Sequence, residues 1–321
     1  MRLRTLRIWK RLKPLWLLLM GWAAASVVMM ILLGYSLFDL RGGLPKIDAA
    51  SSQTISADGV QAIDICAEGV AVEVGSSYDI GQIQVQLYGT GYVNQKAIWQ
   101  LDDNGALSIR LDTYPVIANA YGDRYAANLT MRILLPKRSY DEIKISGKRL
   151  DAAFYQCKGK QLTADVAYGS ILLHKADLQK ADLISNTSDI TINRSRIHYL
   201  NIANQAGNTN LLDNQLRYWN YDSRSGDLTA LTSQIKGIWE LNSERGDIYI
   251  GTKKWRQNLW LKLHSDTGTV TASSKKKPWK KTIPAALTEH DLQLIEGRGE
   301  NMLLVYSEEG NITLDTVKFA E

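Results

Sequence analysis

One short phrase returns at a nearly fixed distance through the second half of the chain. Each copy opens with a small residue and then carries apolar residues at every second position, as in Gly246-Asp247-Ile248-Tyr249-Ile250. From Gly169 onward, the steps between openings are 19, 19, 19, 20 and 22 residues. We call the opening residues the corner column: Gly169, Ser188, Gly207, Gly226, Gly246, Gly268 and, in a later copy, Gly310. A period near 20 residues, built from short alternating segments, is typical of a β-solenoid in which each repeat forms one coil.

The remainder of each repeat keeps the same register. A second alternating segment places apolar residues seven and five positions before each corner residue, such as Trp239 and Leu241 before Gly246. A third apolar position follows each of the first five corner residues by nine: Leu178, Ile197, Leu216, Ile235 and Trp255. One coil cannot enclose these side chains alone, so successive coils must stack. The sequence predicts an all-β, single-stranded parallel β-helix with about 19–22 residues per coil, whose small corner residues suit tight turns with positive φ.

The N-terminal segment predicts a membrane anchor. Residues 1–14 contain six Lys or Arg residues and no acid, and residues 15–38 carry no charge. An apolar helix of about 20 residues spans a bilayer, whereas a cleavable signal peptide has a shorter core of about 7 to 15 residues. An uncleaved transmembrane helix in the lipid bilayer is therefore favoured. Because the positive charges precede the span, we expect the N-terminus in the cytoplasm and the bulk of the chain outside the cell membrane.

The remaining chain divides by composition. Residues 39–53 resemble a linker, residues 54–146 an irregular N-terminal β region, and residues 147–321 the regular coils, with an inserted loop at about 274–300. The formal charge of +5 becomes 5 − 6 = −1 without the six basic residues of the tail. The high isoelectric point thus describes the tail, and we do not expect nucleic acid as a partner of the exported part.

A polar column beside the corner column could carry chemistry. It consists of Asp189, Asn208, Asp227, Asp247 and Asn311. Carboxylates stacked on successive coils could serve glycoside hydrolysis or bind Ca²⁺. Alternatively, Asp and Asn side chains form hydrogen bonds with the backbone of tight turns, which is the reading that we favour. No other pattern indicates a nucleophile, a metal or a cofactor, so we expect no enzyme activity and no cofactor.

Two further features bear on binding and covalent structure. The inserted loop contains five lysines and a tryptophan, which form a possible site for an anionic cell-wall polymer: Lys275, Lys276, Lys277, Trp279, Lys280 and Lys281. A solvated loop without a ligand is the alternative. Cys66 and Cys157 could form a disulfide on the oxidising side of the membrane or remain free thiols in an apolar setting, and the sequence does not choose between them.

Several segments resemble a known family. Residues Leu129–Lys137 (LTMRILLPK), residues Glu142–Gly147 (EIKISG) and the serial Ser-x-x-Gly-Asp-Ile phrases are similar to the bacterial "putative adhesin" domain, which is akin to the head domain of autotransporter adhesins. The similarity covers about residues 54–315. It implies a β-solenoid on a membrane-anchored envelope protein, mainly of Gram-positive bacteria, and no catalytic residues. Some similar proteins are encoded with envelope-stress signalling systems.

The sequence therefore predicts a non-catalytic binding or scaffold module at the bacterial cell envelope. Its partner would be an anionic wall polymer or another envelope protein. An accessory role in envelope-stress signalling is one alternative, and a polysaccharide-acting β-helix enzyme is another.

Overall fold

A computed structural model describes residues 47–77, 81–91, 96–112, 129–232, 234–253, 259–273, 290–295 and 300–316. The predicted helix at 15–38, Trp255 and the lysine-rich loop lie outside these ranges. Within them the chain is all-β, as predicted. The strands are β1 (Ile47–Ser56), β2 (Ala62–Cys66), β3 (Val70–Ser77), β4 (Gln82–Gly91), β5 (Lys96–Leu101), β6 (Ala106–Asp112), β7 (Leu129–Pro136), β8 (Tyr140–Tyr155), β9 (Lys158–His174), β10 (Asp177–Asn193), β11 (Arg196–Ala206), β12 (Thr209–Leu212), β13 (Gln215–Ser225), β14 (Leu228–Thr232), β15 (Ile238–Arg245), β16 (Ile248–Thr252), β17 (Leu259–Ser265), β18 (Val270–Ser273), β19 (Asp291–Ile295), β20 (Asn301–Ser307) and β21 (Ile312–Thr316).

Parallel pairing in the middle of the chain follows the sequence period. Leu162 of β9 pairs with Ala181 of β10, Ala181 pairs with Leu200 of β11, and Leu200 pairs with Trp219 of β13. Each partner lies one repeat further along the chain. The offset becomes 20 residues between β13 and β15, where Trp219 pairs with Trp239. Because equal positions of successive repeats lie side by side, every repeat position becomes a column across the coils.

The corner column is also a column in space. Gly169, Gly207, Gly226 and Gly246 adopt positive φ angles between 110° and 133°. A Cβ atom at Gly226 would overlap the carbonyl oxygen of Gly207 on the neighbouring coil, and the same overlap recurs at the other glycines of the column. At these four positions glycine is therefore required by the close approach of stacked corners as well as by the backbone angle. The expected positive φ is not found at Ser188, Gly268 or Gly310, so the column accepts a serine at one corner.

The core is the interior of the stacked coils. Leu200, Trp219 and Trp239 occupy one interior column and are each at most 2% exposed. The rings of Trp219 and Trp239 meet edge to face with centroids 5.1 Å apart. Burying an apolar side chain of this size contributes about 1.5–3 kcal/mol, so the interior columns supply most of the stabilisation that a single coil lacks.

At the C-terminal end the coils do not stack in chain order. The sequence predicts that the coil opened by Gly268 lies on the coil opened by Gly246. Instead, β15 pairs with β20 and β16 with β21, while β17 and β18 pair with the opposite edges of β20 and β21. The last coil of the chain is thus inserted between two earlier coils. The apolar alternation of the three coils is equivalent, so their local sequences do not specify which pair is adjacent.

At the N-terminal end, too, one coil lies out of chain order, and here it is the first described coil. The coil of β2 and β3 lies between β8 on one side and the coil of β6 and β7 on the other. The first described coil is therefore one position in from the end, like the last. This region, predicted to be irregular, contains parallel coils in its interior strands.

Antiparallel strands cover both terminal coils. Strand β4 pairs with β7 and β5 with β6 at one end, and β19 pairs with β17 at the other. Pairing of these edges prevents further strands from adding to them. Residues Asp48–Glu321 form one compact unit, in which these elements lie. Across the described ranges, no apolar helix reaches the length needed to cross a membrane.

The two cysteines are free thiols. Cys66 is exposed at the end of β2, and Cys157 is buried. The Sγ of Cys157 lies 3.5 Å from the carbonyl oxygen of Val74, and burial raises the pKa of its thiol to about 12. The structure thus contains the free-thiol alternative, with Cys157 packed as a small apolar side chain.

Candidate binding surface

The polar column beside the corners forms a continuous ladder of hydrogen bonds. In each rung, the Oδ1 atom of one coil accepts a hydrogen bond from the backbone N–H of the column residue on the next coil. The rungs are Asp189–Asn208 at 2.8 Å, Asn208–Asp227 at 3.0 Å, Asp227–Asp247 at 2.9 Å, Asp247–Asn311 at 2.8 Å and Asn311–Thr269 at 3.0 Å. Asn311 thus stands between Asp247 and Thr269, in agreement with the inserted last coil.

This ladder explains the Asp and Asn residues by their structural role. Their Oδ1 atoms satisfy backbone donors at bends, which is a common use of these side chains. Among the described residues, no group of three or more His, Cys, Asp or Glu is arranged to hold a metal ion. The geometry supports the backbone-bonding interpretation of this column.

Two buried serines, each three residues before a corner glycine, form hydrogen bonds with the backbone of the bend. The Ser307 hydroxyl accepts the N–H of Gly310 at 2.9 Å, and the Ser265 hydroxyl accepts the N–H of Gly268 at 3.0 Å. Ser265 also donates to the carbonyl oxygen of Gly310 at 2.7 Å. Both serines are completely buried. The Ser-x-x-Gly part of the repeated phrase is thus a structural motif.

A surface depression of about 690 Å³ lies over the first residues of β9, β10, β11 and β13 and is the candidate binding surface. Its lining includes four basic residues, Lys158, Arg196, Arg217 and Lys236, and one acid, Asp177. The formal charge of these groups is 4 − 1 = +3. We call this depression, with its four basic residues, the basic groove.

The solenoid register assembles the basic groove. Lys158 pairs with Asp177, Asp177 with Arg196, and Arg196 with Gln215, so the residues that begin successive coils form one column. The Nε of Arg196 donates to Gln215 at 3.3 Å. Arg217 lies two residues beyond Gln215. Similar positions on successive coils therefore place their side chains in one depression, about 4.8 Å apart from coil to coil.

Aromatic residues border the basic groove. The rings of Tyr199 and Tyr218 stack with centroids 4.7 Å apart and an angle of 9°, and His198 meets both edge to face. The Arg217 guanidinium lies 5.5 Å from the Tyr218 ring centroid. Tyr199 lines the groove and is 46% exposed. These contacts hold the exposed tyrosine in a fixed orientation.

A separate cluster joins the terminal coil to its cover strand. The Nδ1 of His264 lies 2.5 Å from Asp291 of β19, its Nε2 lies 2.8 Å from Asp266, and its ring stacks on Tyr306. The hydrogen bond to Asp291 is the main cause that raises the pKa of His264, with Asp266 contributing and burial opposing. The Tyr306 hydroxyl, which donates to Asp266 at 2.6 Å, lowers the pKa of that carboxyl group together with His264. The cluster fastens β19 to the solenoid end.

Of the two sets of site residues predicted from the sequence, the structure describes the corner column but not the lysine-rich loop. The structure places Gly246, Gly310 and Gly268 next to one another in the corner column, in that order. The loop from Lys275 to Lys281 lies outside the described residues and stays a prediction. Sequence reasoning did not identify the basic groove. Its signal was available, because basic residues recur near the third apolar position of several repeats.

The chain has similarity to two solved structures and to one protein-family model. It is similar to the structure of a "putative adhesin" from Parabacteroides distasonis, with 12% identity, 84% of this chain and 98% of that chain covered, and a TM-score of 0.37. It is also similar to a "putative cell adhesion protein" from Clostridium sporogenes, with 9% identity, 84% and 100% covered, and a TM-score of 0.31. No curated protein matches the chain. The family model described as Toastrack DUF4097 matches residues 60–315, which confirms the resemblance noted from the sequence, and the chain belongs to this family.

Proposed function

We propose that this chain is a membrane-anchored, extracytoplasmic β-solenoid that acts as a non-catalytic binding or scaffold module at the bacterial cell envelope. The uncharged segment at 15–38 and the six basic residues before it support the anchor and its orientation. The solenoid supplies a rigid surface on which the same repeat position recurs at each coil.

The basic groove is the observation that carries the binding role. It brings four basic residues and an exposed tyrosine together on rigid strands. The Asp and Asn column, the strongest candidate for catalysis, instead bonds the backbone of neighbouring coils. The surface is therefore suited to holding a ligand.

The free thiols provide a direct test of the proposed topology. We expect a membrane-impermeant maleimide to label Cys66 on intact cells, because this thiol is exposed, whereas the buried Cys157 should not react. Cys66→Ser should remove the label. Labelling of Cys66 only after the cells are lysed would contradict an extracytoplasmic location.

The binding role is tested with the full-length chain in detergent and isolated cell-wall fractions. We expect retention of the chain by the wall fraction without release of glycan fragments. Loss of retention after protease treatment of the wall fraction would identify an envelope protein as the partner. Release of fragments that is abolished by Asp227→Asn or Asp247→Asn would replace the binding role with an enzyme activity.

A further inference from the structure

The positive charges of the basic groove are only partly balanced: among the described residues that line it, Asp177 is the one acid. Other surface cations form ion pairs, such as Lys180 with Asp182 at 2.6 Å and Arg245 with Glu309 at 3.2 Å. Within the described ranges, by contrast, none of the four basic residues of the groove has a carboxylate within salt-bridge distance. The residues concerned are Lys158, Arg196, Arg217 and Lys236. Clustered cations in a depression concentrate positive potential, which attracts an anionic ligand.

The extent of the groove indicates a polymeric ligand. Lys158 and Lys236 belong to coils that are four steps apart in the stack, which corresponds to about 19 Å at about 4.8 Å per step. A single phosphate or carboxylate ion can contact only one or two of the four cations at a time. Simultaneous contact with all four requires a ligand that carries several negative charges along its length.

The tyrosine at the groove indicates that this ligand contains rings. Tyr218 stacks on one face of Tyr199, and 46% of Tyr199 is exposed. An aromatic ring has a negative face, which attracts the partly positive C–H groups on a face of a sugar ring. Because the contacts with Tyr218 and His198 orient Tyr199 in advance, little side-chain freedom is lost when a ring binds.

We propose that the basic groove binds an anionic polysaccharide, with the sugar chain lying across the strands, along the direction in which the coils stack. This inference rests on the proposed function and specifies its ligand class. The basic side chains contact the carboxylate or phosphate groups of the polymer, and Tyr199 packs against one of its sugar rings.

The test compares variants of the full-length chain for binding to alginate, which is a polyuronate, and to neutral dextran. The groove variant combines Lys158→Ser, Arg196→Ser, Arg217→Ser and Lys236→Ser. The matched control removes four exposed cations that do not line the groove, with Lys144→Ser, Lys148→Ser, Arg224→Ser and Arg245→Ser. All variants retain the basic tail, so its contribution to binding is the same in each.

We expect the wild-type chain and the control to bind alginate and not dextran, and the groove variant to bind alginate at least about tenfold more weakly. Binding should weaken as salt increases. Equal losses in the groove variant and the control would overturn the groove as the site, while retention by wall fractions would preserve the proposed function. If the wild-type chain binds neither alginate nor wall fractions, both the inference and the proposed function are wrong.

A second variant tests the ring contact. We expect Tyr199→Ala to weaken binding to alginate severalfold and to leave binding to poly(glycerol phosphate), which lacks sugar rings, unchanged. An equal effect on both polymers would overturn the sugar contact. Tighter binding of the wild-type chain to a single-stranded oligonucleotide than to alginate would overturn the polysaccharide in favour of nucleic acid.

Discussion

The backbone N–H of Asn311 donates to the Oδ1 of Asp247 at 2.8 Å, although the two residues are 64 positions apart in the chain. This contact places the last coil directly on the coil opened by Gly246. The coil opened by Gly268, which follows Gly246 in sequence, lies beyond it.

Engineered disulfides test this coil order. Asn242 pairs with Tyr306, and Tyr306 pairs with His264. Cα atoms on neighbouring strands, about 5 Å apart, can be bridged by a disulfide, whereas those two strands apart, at about 10 Å, cannot. In a Cys66→Ser background, we expect Asn242→Cys with Tyr306→Cys to cross-link on oxidation. We expect Asn242→Cys with His264→Cys not to cross-link. A cross-link in that pair would indicate that the coils stack in chain order. Mass spectrometry of the unreduced chain measures both.

The hydrogen-bond ladder predicts a difference between two substitutions of one residue. Asp247→Ala removes the acceptor for the N–H of Asn311 and should lower the free energy of unfolding by about 1 kcal/mol. Asp247→Asn keeps an Oδ1 acceptor and should cost less. Denaturant unfolding measures both, with Asp222→Ala as an exposed control expected to stay within about 0.5 kcal/mol of wild type. Equal losses for the Ala and Asn variants of Asp247 would argue against the ladder.

The corner column predicts a strong requirement for glycine. Gly246 has a φ of 127°, and its added Cβ would overlap the carbonyl oxygen of Gly226. We expect Gly246→Ala to destabilise the chain by at least about 3 kcal/mol, measured by chemical denaturation. Gly81→Ala is the matched control, because nothing lies within 4 Å of its added Cβ. Similar stabilities of the two variants would contradict the close stacking of the corners.

The His264 cluster predicts a pH-dependent attachment of β19. The folded-state pKa of His264 is raised above its usual 6.5, so its contribution to stability is complete below that value and is lost as pH rises through the raised pKa. Asp266, whose pKa is lowered, stays ionised throughout this range. We expect wild type to unfold at a higher temperature than His264→Gln at about pH 6, with the difference shrinking by about pH 9. A difference that is constant with pH would show that the ring does not titrate in contact with Asp291.

Local sequence determined the β-solenoid. Each repeat points apolar side chains such as Leu200 and Trp219 inward and has a small residue at the bend. Both properties are accommodated when equivalent positions of successive repeats lie side by side. The constant period then specifies the parallel register. The Asp and Asn column was visible for the same reason, since a residue at one repeat position becomes a spatial column.

Tertiary structure alone decided the ends and the His264 cluster, and it decided that the recurring basic residues share one groove. The coils opened by Gly246, Gly268 and Gly310 have equivalent apolar patterns, so their order depends on contacts between distant segments. His264 meets Asp291 only because β19 turns back antiparallel to β17. The basic side chains of the groove point outward, where the apolar alternation does not determine the residue type. The depth of the groove depends on how five coils are stacked. Periodic burial is written into the sequence of each repeat, whereas the surface shared by several repeats is determined only when they pack together.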